Sequence, residues 1–268
     1  MRYGFLACTA LVVLTLGGCS SSTATKGPKP DKPYEDAMDT GKAVYGIGQA
    51  SQAEAQYRTA MDRALMRDDA VAIHEAGFNL ATVLLAQDKP QKALQSLGET
   101  ETALSLRNVS DTSDLAVIRA AALYRLHDTV FASQAVQRAL QSSDRGIRER
   151  ALYLSGLIAA DQKQSAALTQ RVNDLATFHD NGAATDRQEL LARLYLLQGQ
   201  SELASNEALS VVKNRRDALD YRGMRQALTL AADAAEAAGH SRQAEALRQQ
   251  ESASREVEAK QAGAAKTP

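Results

Sequence analysis

The side chains able to do chemistry are few and stand apart. Both cysteines, Cys8 and Cys19, fall within the first 19 positions of the 268-residue chain, so from position 20 onward there is no thiol for a disulfide, a thiolate metal site or a nucleophile. His74, His127, His179 and His240 are scattered singly, with neither HxxxH nor HExxH spacing to gather a metal ion. Asp68-Asp69 and Asp217/Asp220 could pair as carboxylates for general acid and base work. Each set instead sits at an expected helix start, where acids cap amides and favour the dipole. Gly46-Ile47-Gly48-Gln49-Ala50-Ser51 carries two glycines of a phosphate loop, but no strand precedes it and the third glycine is missing, so it reads as a turn between helices. Lys213-Asn214-Arg215-Arg216 is a basic run of only three charges. No GxSxG and no Ser-His-Asp set is recognisable, and no catalytic residue, cofactor or metal is expected. With 31 Lys and Arg against 32 Asp and Glu, the net charge of -1 gives no electrostatic case for nucleic acid.

Cys19 has a context of its own. Met1-Arg2-Tyr3 is a short positive start, and Phe5 to Leu16 is an apolar run too short to span a bilayer but of the length expected for a signal peptide. Leu16-Gly17-Gly18-Cys19 resembles a lipobox, the processing signal of bacterial lipoproteins. The resemblance implies that residues 1–18 are removed and that Cys19 becomes the lipidated first residue. An ordinary secretory signal with a cysteine near its cleavage site is the alternative. Ser20, which is not the inner-membrane-retaining Asp, implies by the same resemblance an outer-membrane anchor facing the periplasm, with the inner membrane and the cell surface as alternatives. Residues 19–33 carry no apolar periodicity and contain Pro28 and Pro30, so they read as a tether of at most about 45 to 50 Å.

The elements beyond the tether must all be helices. Ala, Leu, Gln, Glu, Arg and Asp dominate from Asp36 onward, and no stretch shows a strand period. Turn signals recur at Gly46-Ile47-Gly48, Asp88-Lys89-Pro90, Leu126-His127-Asp128, Asp161-Gln162-Lys163, Gln198-Gly199-Gln200 and Ala238-Gly239-His240, spaced by 35 to 42 residues. A second set lies between them, at Arg67 to Asp69, Asn108 to Ser113, Ser142 to Gly146, Asn181-Gly182 and Lys213 to Asp217. Helix pairs with a period of about forty residues make an α-solenoid. Ser51 with Glu54 and Thr185 with Gln188 have capping-box spacing, and Pro90 suits a first helical position. The fold class is therefore all-α, a solenoid over residues 34–250 of about six helix pairs, followed by a polar tail or helix extension at 251–268.

The unit from Phe78 to Leu97 resembles the tetratricopeptide repeat (TPR), which puts small residues where its two helices cross. Setting the family's second-helix alanine at Ala53, Ala93, Ala132, Ala167, Ala204 and Ala244 places Gly41, Ala81, Ala120, Ser155, Ala192 and Ala232 at the small first-helix position. The family's Trp and closing Pro are absent, and Arg171 and Asp174 occupy usually apolar places in the fourth unit.

The resemblance implies a concave groove lined by first helices. Carried over residue by residue it includes Met38, Lys42 and Tyr45, then Phe78, Thr82 and Leu85, then Tyr124 and Arg125, then Glu189, Arg193 and Leu196. The family's clamp for a C-terminal carboxylate is not visible. The implied role is a non-catalytic scaffold that recruits an envelope or periplasmic protein to a membrane and binds no nucleic acid. The alternatives are a cell-wall enzyme using Glu189 or another carboxylate as acid, a regulator of a peptidoglycan enzyme, or a small-ligand carrier in the groove.

Overall fold

The structure is a computed structural model that describes residues 29–264. The lipobox-like quartet with Cys19, the signal-like segment 1–18, the tether up to residue 28 and residues 265–268 lie outside the described residues. From Lys32 onward the described residues form one compact unit of twelve helices. In chain order these are α1 (Lys32–Gly46), α2 (Ala50–Met66), α3 (Ala70–Ala86), α4 (Pro90–Ser105), α5 (Ser113–Arg125), α6 (Thr129–Leu140), α7 (Arg145–Asp161), α8 (Ser165–Leu175), α9 (Asn181–Leu197), α10 (Ser201–Asp217), α11 (Tyr221–Ala237) and α12 (Ser241–Ala264). Each packs against its chain neighbour, and α3, α5, α7, α9 and α11 stack in succession. This is an α-solenoid of six helix pairs. α12 runs past residue 250 to Ala264 as a continuous helix.

The turns share one chemistry. Nine of the inter-helix turns carry a residue of positive φ, at Gly48, Asp68, Asp88, Asn108, His127, Lys163, Gly199, Leu219 and Gly239. In each, the amide of the following residue returns to the carbonyl five positions back, as Lys89 N does to Leu84 O at 2.9 Å and Gln200 N to Tyr195 O at 2.8 Å. This bond satisfies a carbonyl that the helix end would otherwise leave unpaired. Aspartates then start the next helix: Asp69, Asp128, Asp144, Asp180 and Asp220 accept from the amides of Ala72, Phe131, Ile147, Ala183 and Gly223. The two turns that lack a positive-φ residue are braced by arginines. Arg148 donates to Ser142 O and Ser143 O, and Arg145 donates to Thr177 O.

Several local expectations fail for identifiable reasons. Ser51 and Glu54 do not cap α2. Ser51 donates to Gln87, and Glu54 accepts from Arg58, Lys89 and Gln87, tying α2 to the α3–α4 turn. Thr185 lies inside α9, whose cap is Asp180, and its hydroxyl bonds to Asn181 O. Lys213 to Asp217 forms the last turn of α10, with the chain reversing at Ala218 to Asp220.

Small residues occupy the crossings. Gly41, Ala53, Ala81, Ala93, Ala120, Ala132, Ala192, Ala204, Ala232 and Ala244 are buried. In the fourth pair the register sits one residue later than the alanine alignment places it: Gly156 and Leu168 are buried, whereas Ser155 and Ala167 are only partly so. A Cβ built on Gly156 would come within 2.3 Å of Leu190 Cδ1. The shift also explains the two polar residues that did not fit. Val172 and Leu175 fill the apolar places, and Arg171 and Asp174 pair with each other at 2.9 Å on the surface.

Two substitutions test this account. At Gly77 a Cβ would meet Thr100 Cγ2 at 2.4 Å and Thr100 Cβ at 2.9 Å, and Thr100 is fully buried. Gly77→Ala is expected to cost about 1–3 kcal/mol of stability despite the better helix propensity of alanine. In chemical denaturation the penalty should shrink in a Thr100→Ala background. Leu219 holds φ 59 while 69% exposed, a conformation that costs a β-carbon residue about 1–2 kcal/mol. Leu219→Gly is expected to raise stability by about 0.5–1 kcal/mol in the same measurement, because glycine removes that strain at a smaller entropic cost.

Candidate functional site

The C-terminal ends of α1, α3 and α5 point to one side of the stack, and α11 returns to line with them a cavity of about 1470 Å³. Tyr45 from α1, Phe78, Thr82 and Leu85 from α3 and Arg125 from α5 line one wall. Val117, Ile118 and Ala121 of α5 continue it, and Ile147 and Arg150 come from the start of α7. The rest of the lining includes Arg222, Arg225, Gln226 and Thr229 of α11 with Arg255 and Glu258 of α12. The hydroxyl of Thr82 has no hydrogen-bond partner among the described residues.

One end of the cavity is drawn together at the C-terminus of α3. The last carbonyls of a helix lack internal partners and carry the negative end of its dipole. Leu85 O, at the end of α3, accepts the Asp88 amide at 3.0 Å, and guanidinium groups from two distant helices also converge on it: Arg125 donates from α5, and Arg222 donates from α11 at 3.2 Å. Arg222 also bridges to Asp88 at 2.9 Å. These bonds join the second helix pair to the sixth across 134 positions of sequence. Burial lowers the Arg125 pKa to about 10, the positive charge of Arg222 pushes the same way, and Asp88 only partly opposes them.

Every carboxylate in the cavity wall already has a partner. Asp88 pairs with Arg222, Asp114 with His74 at 2.9 Å, Asp220 with Arg215 at 3.3 Å and Glu258 with Arg225, while Asp144 caps α7. Among the cations, Lys89 pairs with Glu54 and Arg255 with Glu251.

Of the residues assigned to the groove from the sequence, Tyr45, Phe78, Thr82, Leu85 and Arg125 meet around this cavity, whereas Tyr124, Glu189, Arg193 and Leu196 do not line it. Glu189 is 1% exposed and forms the centre of an internal ionic cluster. It accepts from Tyr153 at 2.7 Å, from Arg193 at 3.2 Å and from Arg215 at 3.3 Å, and Arg215 also pairs with Asp186. Burial pushes the Asp186 carboxyl up to about 6, against the opposing pull of Arg215. Burial, with the charges of Glu189 and Asp186, raises the Tyr153 phenol well above its usual range. Both Glu189 oxygens are occupied and shielded, so this carboxylate locks α7, α9 and α10 together and has no face for a substrate. Tyr124 and Leu196 are partly buried against neighbouring apolar clusters. Among the described residues no group of three or more His, Cys, Asp or Glu could hold a metal ion, and no helix is long and apolar enough to cross a membrane.

Arg150, Arg222 and Arg225 are cavity residues that the sequence reading missed. Family positions within one repeat do not reveal that the sixth pair reaches the second.

Removing one partner from a buried ionic cluster strands the others. Arg215→Met is therefore expected to cost about 3–5 kcal/mol, read as a lower midpoint in denaturant. Arg222→Gln, at a half-exposed pair, should cost about 1 kcal/mol or less.

No family model matches the chain, and no curated protein does. Solved structures do. A tetratricopeptide repeat protein from Parabacteroides merdae ATCC 43184 superposes with a TM-score of 0.51 at 16% identity, covering 88% of this chain and all of that one. PilW, described as a widely conserved type IV pilus biogenesis factor, superposes with a TM-score of 0.52 at 18% identity, covering 82% of this chain and 93% of its own. At these identities the likeness shows a TPR-like fold.

Proposed function

We propose that this chain is a non-catalytic scaffold, anchored to a membrane by lipid on Cys19, that holds a segment of a protein partner in the cavity between its second and sixth helix pairs. The observation that carries the reading is the cavity itself. It is half open, with a volume of about 1470 Å³ against the roughly 300–1,000 Å³ of small-molecule sites, and its lining mixes apolar side chains with polar ones held by ion pairs. Stacked helix pairs commonly present such concave surfaces to extended segments. The likeness to PilW, a pilus biogenesis factor, favours a partner in the bacterial envelope. Lipidation at Cys19 followed by Ser20 favours the periplasmic face of the outer membrane. Three acyl chains, which bacterial lipoproteins usually carry, would hold the protein there firmly where one would bind reversibly. A partner that is itself a cell-wall enzyme fits the same scheme.

Two measurements test the two halves of the proposal. In cell fractionation, Cys19→Ser is expected to release the protein from the membrane pellet; retention in the pellet would refute the lipid anchor. In affinity purification from detergent-solubilised membranes, one envelope protein should copurify with the native chain and be lost on filling the cavity with Thr82→Trp. Recovery of no partner above background would refute the scaffold.

A further inference from the structure

We infer that the cavity selects an acidic, apolar-flanked extended peptide, and that Arg125 is the residue that grips its carboxylate. The inference rests on the scaffold reading and names the chemistry of the partner. Its basis is an imbalance of charge within the wall. All five carboxylates there are committed to a cation, a histidine or a helix cap, but two of the arginines, Arg125 and Arg150, form no ion pair among the described residues. Among the described residues the exposed Arg150 makes no hydrogen bond either, with Glu149 its electrostatic neighbour, and Arg125 makes one hydrogen bond, to the carbonyl of Leu85.

Arg125 is the more telling of the two. It is half-buried, and Arg222 is bound to the same carbonyl, so two guanidinium groups face each other with one mostly exposed carboxylate, Asp88, which is ion-paired to Arg222 and only partly offsets the charge beside Arg125. Withdrawing a guanidinium from water with only a neutral acceptor leaves most of its five donors without a charged partner. A carboxylate entering the cavity would accept from Arg125 in the paired geometry that guanidinium favours and relieve the repulsion from Arg222. The apolar surface beside Arg125, from Phe78, Leu85 and Ile118, would receive the flanking side chains, and the unpaired hydroxyl of Thr82 lies in the same wall. The volume exceeds what a small dicarboxylate would fill, which favours a peptide.

The test uses the full chain in detergent and fluorescence anisotropy with a labelled peptide of about twelve residues alternating glutamate and leucine. The same peptide with glutamine for glutamate, and succinate as competitor, serve as controls. The glutamate peptide is expected to bind at least about ten-fold more tightly than the glutamine peptide and to weaken with added salt. Arg125→Gln should remove that preference, Arg125→Lys should keep part of it, and Arg150→Gln should reduce it a few-fold. Arg138→Gln, an exposed change on α6 outside the cavity, should leave it intact.

Equal binding of the two peptides, no binding of either, or the full preference surviving in Arg125→Gln would overturn the inference. So would displacement of the peptide by succinate at similar concentration. Should Arg125→Gln fail to fold, the two peptides compared on the native chain with rising salt decide the matter alone. An envelope protein that still copurifies with Arg125→Gln would defeat this inference while leaving the scaffold standing, whereas absence of any partner for the native chain would defeat the scaffold.

Discussion

Everything in this molecule depends on how closely two helices can approach. At the crossings the side chains are alanine or glycine, apart from Leu168 in the fourth pair opposite Gly156, which lets backbones come to about 8 Å and leaves larger residues such as Tyr57, Leu84 and Leu190 to fill the space beside them. A crossing of this kind tolerates little added volume, so the orientation of each pair is fixed by atoms and not by an average of many soft contacts. The rotation from one pair to the next then accumulates without slack. After four steps it brings Arg222 of α11 onto the end of α3, and residues of both helices line one half-open cavity.

The same property decided what the sequence could disclose. Helix content, the alternation of turns and the small residues at crossings were all legible, because each is a local demand of backbone geometry. The fourth pair was misread by one residue because the alignment favoured an alanine where burial favours Leu168, and the misfit of Arg171 and Asp174 was the sign of that error. Capping boxes at Ser51 and Thr185 were false because the same spacing occurs inside helices and in contacts between repeats. Of the proposed groove residues, those near the C-terminal ends of α1, α3 and α5 meet at one cavity. Glu189 and Arg193 lie in an ionic cluster instead, since a polar residue on a first helix can face a neighbouring helix as readily as open space. No pattern within a repeat announces Arg222, because its role is set by the summed rotation of the pairs before it.

Charge is used in two different ways on the two sides of the stack. Around Glu189 charge is matched from within: Glu189 and Asp186 meet Arg193, Arg215 and the Tyr153 phenol, with Asp161 and Asp220 beside the two guanidinium groups, and the group acts as a rivet between α7, α9 and α10. Around Leu85 O it is left open, with cations gathered at a helix C-terminus and too few anions to match them. A closed cluster holds elements in place, whereas an open one leaves a vacancy for a group of opposite sign.

The link between Asp88 and Arg222 also bears on the order in which the chain assembles. Nearly all other packing joins helices that are neighbours in sequence, the kind of local contact that forms early and propagates along a repeat array. This one spans 134 positions and can close only after the intervening pairs have stacked with the correct rotation. The cavity is thus the last feature to appear, and a molecule with any interior pair unfolded has lost it. Binding at the cavity would then act as a report on completed folding, available from the whole solenoid and from no fragment of it.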